Sequence, residues 1–143
     1  GTVSYEKRRH FFSDWLVGDA LIEDVTVLVA KGRAVSVNKR LNQKDDGSLW
    51  LAGIDVAPRQ VDYLPTLNVD KEVLSLLHSG DYIGIYSPLG GLDVSHTGII
   101  VKDKGRTFIR HASSRSETGR VVDEDLLQYL QGKPGLIVYR VKP

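Results

Sequence analysis

Short blocks of apolar residues, each with its own period, divide the chain into elements. Ser4 to Ala20 reads as a helix, because Tyr5, Phe11, Phe12, Trp15 and Leu16 recur at helical spacing before a break at Gly18-Asp19. Val25 to Val29 and Ala34 to Val37 are β-branched strand patterns, and Lys31-Gly32-Arg33 between them suits a turn that pairs the two. The polar stretch 42–48 and the following Leu49-Trp50-Leu51 are expected to form an exposed excursion, with Trp50 available to line a ligand groove. Arg59 to Leu64 alternates as a strand and Pro65 ends it. Asn68 or Asp70 then caps a helix with the apolar stripe Val69, Val73, Leu76 and Leu77, and Gly80 is placed for a left-handed C-terminal cap. Asp81 to Tyr86 is a strand. The acidic run Asp123-Glu124-Asp125 places negative charge at the start of a helix through Leu130, and Leu136 to Val141 is a last strand. The pattern predicts one α+β domain over 1–143, a mostly antiparallel sheet with a few flanking helices.

The most informative block is a hairpin. Thr97 to Val101 and Thr107 to Ile109 are strand-like, and Asp103-Lys104-Gly105-Arg106 between them is turn chemistry. With Lys104 and Gly105 as the loop, Asp103 faces Arg106, Ile100 faces Ile109 and Gly98 faces His111. His96 then shares a face with His111 one diagonal step away, roughly 7 to 8 Å between backbone positions. A slip of one residue would send the rings to opposite faces. Gly98 is expected to leave space for a ring or a substrate. The plainer alternative is two half-exposed strand histidines with no shared task.

Composition narrows the classes. Of 143 residues, 41% are hydrophobic and 26% charged, ordinary for a globular domain with a real core. Nineteen basic against eighteen acidic residues leave a formal charge of +1, too little for a nucleic-acid or anionic-membrane footprint. The longest apolar runs fall far short of the roughly 20 residues of a spanning helix, so no membrane insertion is expected. There is no cysteine, hence no disulfide and no thiol nucleophile within these residues. With no methionine either, the sequence is expected to begin after its translation start. His10, His78, His96 and His111 lack zinc-binding spacings, no Gly-x-Ser-x-Gly elbow surrounds Ser95, Ser113 or Ser114, and the loop Ser87 to Gly91 lacks the lysine of a phosphate loop. No metal or cofactor is expected.

Ser79-Gly80-Asp81-Tyr82-Ile83-Gly84 followed by Ser95-His96-Thr97-Gly98-Ile99-Ile100 resembles the papain-like NlpC-type cell-wall hydrolases. More closely, Arg9-His10-Phe11-Phe12-Ser13-Asp14-Trp15, Leu92-Asp93-Val94-Ser95-His96-Thr97-Gly98 and Arg110-His111-Ala112-Ser113-Ser114, with Val121-Val122-Asp123-Glu124 after them, are similar to the N-acetylmuramoyl-L-alanine amidase-like branch. The resemblance runs from Tyr5 to Tyr139. It implies a papain-like NlpC-type fold, a cysteine nucleophile, His96 as its base and His111 as the residue that orients the base. Substrate contacts are expected from His10, Asp14, Trp15, Ser95 and Ser113.

In such a family the cysteine precedes the segment resembling His10 to Trp15, so the chain is expected to be the C-terminal part of a larger amidase-like domain. The resemblance further implies a periplasmic or secreted bacterial protein, peptidoglycan fragments or muropeptides as partners, and a docked N-terminal segment. Because that N-terminal segment would normally cover the face, an exposed apolar or partly apolar groove is predicted beside the two histidines. Two other readings stay open: a binding module for cell-wall peptide or a partner chain, without a nucleophile, and a structural subunit of an assembly.

Overall fold

The computed structural model describes residues 11–18, 20–113 and 120–143. Helix α1 (Asp14–Gly18) follows a turn at 11–13, so the expected N-terminal helix is helical over this short part, and residues 4–10 lie outside the description. Strand β1 (Ile22–Asp24) leads into helix α2 (Thr26–Ala30), where the β-branched run had predicted a strand. Burial decides against propensity here. Asp24 Oδ1 accepts from the Thr26 amide, Val29 and Ala30 are fully buried, and Thr26 Oγ1 accepts from the Val138 amide at 2.9 Å. Lys31 closes the helix in the left-handed region, at φ 53.

Strand β2 (Val35–Leu41) pairs not with the residues of α2 but with β3 (Ala57–Pro65), in register from Val35 opposite Tyr63 to Leu41 opposite Ala57. The excursion between them is pinned by buried Asn42, whose side chain bonds the backbones of Leu51 and Ile54, and Trp50 Nε1 donates to the Gly90 carbonyl.

Helix α3 (Lys71–Leu76) is capped by Asp70, which accepts from the Val73 amide, and it ends at an extended Leu77 rather than at Gly80. Gly80, at φ +94, instead turns the chain into β4 (Tyr82–Tyr86). Asp81 beside it is buried, accepting from Arg140 at 2.8 Å through both oxygens and from the His78 amide. Removing one partner of such a buried pair typically costs about 3–5 kcal/mol. The Gly-Asp pair of the motif is therefore a fastener joining the start of β4 to the last strand.

The predicted hairpin is β5 (Val94–Asp103) and β6 (Arg106–Ala112), paired Asp103 to Arg106 and Ile100 to Ile109. Lys104 and Gly105 both have positive φ, which matches the right-handed twist of the strands they join. Residues Val121–Asp125 form β7, not the start of a helix, because they pair with β6. Asp125 then caps α4 (Leu126–Leu130) through the Gln128 amide. Strand β8 (Gly135–Val141) closes the chain.

The sheet runs β2-β3-β8-β4-β5-β6-β7, with β1 also on β8, and every strand pairing among the described residues is antiparallel. The molecule is thus α+β, a mostly antiparallel sheet with a few helices. One face carries the larger core, where Ile83, Ile85, Ile100 and Ile109 meet α2, α3 and α4 through Val29, Val73 and Leu130. The other carries an aromatic cluster in which Phe12 stacks on Tyr139 at 4.2 Å. Gly84 permits that approach: a Cβ there would stand 2.5 Å from Val94 Cγ1 and 2.8 Å from the Phe12 ring.

Candidate active site

The period-2 alternation of β5 and the tight turn after it place His96 and His111 on the larger-core face, as the shared register requires. His96 lies opposite Ile85 just past an irregularity at Ile85 and Tyr86, which takes Ser95 out of the regular alternation. Nε2 of His96 is 2.9 Å from Nδ1 of His111, the rings perpendicular with centroids 5.0 Å apart. His111 is almost entirely buried, and its Nε2 lies 2.6 Å from Glu124 Oε2 on the neighbouring strand. Tyr129 of α4 covers the pair, 4.7 Å from the His111 ring and 6.3 Å from that of His96. Lys133 caps this stack, its Nζ 4.0 Å from the Tyr129 ring centroid.

One tautomer satisfies both contacts with neutral imidazoles: His111 donates from Nε2 to Glu124, and its Nδ1 lone pair accepts from His96 Nε2–H. Nδ1 of His96 is then left as a bare lone pair, and among the described residues it has no hydrogen-bond partner. Burial, with smaller contributions from the neighbouring His111 and the Lys133 ammonium, holds the His96 imidazole below its ordinary value. A neutral imidazole with one nitrogen anchored and the other open is suited to accepting a proton.

Beside the rings lies a cleft of roughly 760 Å³, reached by Ser95, His96, His111 and Ser113 at one end and by Arg106 and Asp125 at the other. Its walls are more polar than apolar, with Asp123, Gln128 and Gln131 among them, and Phe108 and Tyr129 supply an apolar part, so the groove is partly apolar rather than apolar. The space above Gly98 is filled too. A Cβ there would lie 2.6 Å from the Ile109 side chain and 2.9 Å from the Arg110 carbonyl, so this glycine admits a neighbouring strand residue rather than a ligand.

Of the other expected site residues, Ser95 and Ser113 reach the cleft and Asp14 and Trp15 do not. Asp14 pairs with Arg59 at 3.0 Å and accepts from the Phe11 amide, and Trp15 meets Tyr82 edge-on at 5.6 Å on the aromatic face. His10 lies outside the described residues. Glu124 was missed in the sequence, where its acidic neighbours suggested a helix start. The signal available was the β-branched pair Val121-Val122, which makes Glu124 a strand residue. The three groups run in line rather than around one point, and among the described residues no three His, Asp or Glu side chains are placed to share a metal ion.

The family comparison gives the class of protein. The chain belongs to the AmiA-like, N-acetylmuramoyl-L-alanine amidase-like family, whose model matches residues 1–136. Among solved structures, an N-acetylmuramoyl-L-alanine amidase from Bacteroides uniformis is 25% identical, with a TM-score of 0.72 over 99% of this chain and 67% of that one. A Bacteroides fragilis protein described as a candidate xylanase is 28% identical, with a TM-score of 0.74 over 99% and 69%. A Legionella pneumophila protein shares the fold, with a TM-score of 0.78 at 22% identity, over 99% of this chain and 64% of that one. The chain therefore spans about two thirds of the length of these structures. No curated protein matches it.

Proposed function

We propose that this chain carries the base arm of a cysteine amidase of papain-like NlpC type, acting on the amide between N-acetylmuramic acid and L-alanine in peptidoglycan or its muropeptide fragments. The observation that carries the proposal is the in-line contact His96 to His111 to Glu124, which leaves His96 Nδ1 open. A thiol attacks the amide carbonyl as Nδ1 takes its proton. The same proton then passes to the leaving amine, and water hydrolyses the thioester. His111 holds the tautomer and angle of His96, and Glu124 holds those of His111. Ser95 and Ser113 at the cleft are hydrogen-bonding neighbours of the substrate, whereas Asp14 and Trp15 belong to the segment that docks beside the sheet.

The 143 residues contain no cysteine, so the reading places the nucleophile on a segment outside them, in a larger amidase-like domain of which this is the C-terminal part. The substrate further implies a periplasmic or secreted setting. No described helix is long and apolar enough to cross a membrane.

The test is product release from a purified anhydromuropeptide, followed by mass spectrometry, for protein that includes the segment preceding Gly1. His96→Ala should lower turnover about 100- to 10,000-fold while folding is kept, and His111→Asn should retain a measurable fraction. If His111→Asn is as inactive as His96→Ala while both remain folded, the roles are assigned wrongly. The lack of a thiol in this chain also favours a second reading, a binding module for cell-wall peptide. Muropeptide binding without turnover by the longer protein would select it.

A further inference from the structure

A second cleft, of roughly 610 Å³, opens between α3 and the tip of the β5–β6 hairpin. Its floor includes Leu74 and Leu127, and its rim carries Lys71, Lys102, Lys104 and Arg106. Arg106 is 3.8 Å from Asp125 and lies over the Phe108 ring, so its charge is partly answered. The ammonium groups of Lys71, Lys102 and Lys104 make no ion pair with any described residue, and Asp103 is the only other carboxylate on the wall. Like charges gathered around an apolar floor repel one another, and an anion placed among them relieves that repulsion.

Arg106 and Asp125 line this cleft and also the one beside the histidines, so the two adjoin at that ion pair. Arg106 and His111 stand five positions apart on β6, about 17 Å at the rise of a strand. An extended peptide of about five residues spans that length.

Resting on the amidase reading above, we propose that the cleft at the hairpin tip is a subsite for the carboxylate-bearing end of the peptide whose amide is presented to His96. The lysines take the carboxylates, Leu74 and Leu127 take the methyl and methylene groups, and the Arg106–Asp125 pair marks the boundary between the two clefts. The lysines act through charge rather than geometry, in keeping with flexible ammonium groups that tolerate stem peptides of different length.

The experiment is a titration of the 143-residue protein with the synthetic tripeptide L-Ala-γ-D-Glu-L-Lys, carrying free carboxylates, and with its fully amidated form, followed by amide chemical shifts. The acidic peptide should shift the resonances of Lys71, Ser75 and Lys102 to Thr107, and binding should weaken as salt rises. The exposed triple variant Lys71→Gln, Lys102→Gln, Lys104→Gln should bind about tenfold more weakly with its fold intact. Equal binding of the amidated peptide, shifts confined to Ser95, His96 and Tyr129, an unaffected triple variant, or equal displacement by inorganic phosphate would each overturn the subsite. None of these outcomes touches the amidase reading, which falls if the longer protein binds muropeptide without turnover or if its turnover is insensitive to His96→Ala.

Discussion

The two faces of the central sheet close differently. On the aromatic face the polar groups are consumed by one another. Asp93 is buried and accepts from the Ser13 and Val94 amides, Arg59 reaches both Ser13 and Asp14, and Phe12 lies flat on Tyr139. Two of the sequence motifs that carried the family resemblance, the one ending at Trp15 and the one beginning at Leu92, meet in the Ser13 to Asp93 bond. On the opposite face the chain from Glu124 through His111 ends at an open nitrogen of His96. A motif whose lone pairs are all answered internally fastens the fold. One that stops short of its last partner is available to a reactant.

This contrast is most severely tested by Phe12→Ala. The loss of a buried, stacked ring should cost about 3–5 kcal/mol in chemical denaturation and leave the ring nitrogen shifts of His96 unchanged. Disturbance of His96 in step with the lost stability would mean that the two faces are one unit.

Asp93→Ala should come next, at about 1–3 kcal/mol, because it strands the buried Ser13 and Val94 amides. The expected signature is faster hydrogen exchange at those amides, with β6 and β7 protected as before.

Glu124→Gln should change stability by no more than about 1 kcal/mol, since this half-exposed side chain sits on an edge strand. Its mark should appear in the nitrogen spectra. An amide both donates and accepts, so His111 should lose its fixed Nε2–H tautomer, and His96 should follow. A single unchanged tautomer would remove Glu124 from the relay.

The smallest effect concerns pH. His96 has a folded value below its ordinary one, so between the two values the unfolded chain binds more protons and stability rises with pH. The contribution is complete above the ordinary imidazole range and is lost as pH falls through that range toward the folded value. His96→Asn should flatten this slope in denaturation curves taken on the acid side of neutrality. An unchanged slope would show that the open nitrogen is no harder to protonate than any exposed histidine.

The hairpin was legible in the sequence because two local rules agree there: Lys104-Gly105 selects the turn, and a strict period of two then fixes which residues share a face. From those rules follows the meeting of His96 and His111. Glu124 was hidden because it sits in a short acidic run, Asp123-Glu124-Asp125, whose charge reads as a helix start, whereas its pairing with β6 makes it a strand residue. The sequence reading of Gly98 failed for a different reason. Pairing alone names the residue opposite, whereas the space above a glycine is settled by the diagonal neighbour, here Ile109. Val25 to Val29 misled because propensity is a weak local preference, outweighed by burying Val29 and Ala30 against the core.

The relay also has a kinetic side. His96, His111 and Glu124 come from consecutive strands within residues 94–125, so two neighbouring antiparallel closures assemble all three. Pairings such as β1 with β8 join nearly opposite ends of the chain and must await a far larger loop closure. These three side chains can accordingly come together early as a local module. On the proposed amidase reading, a nucleophile carried on another segment would then meet a base already aligned.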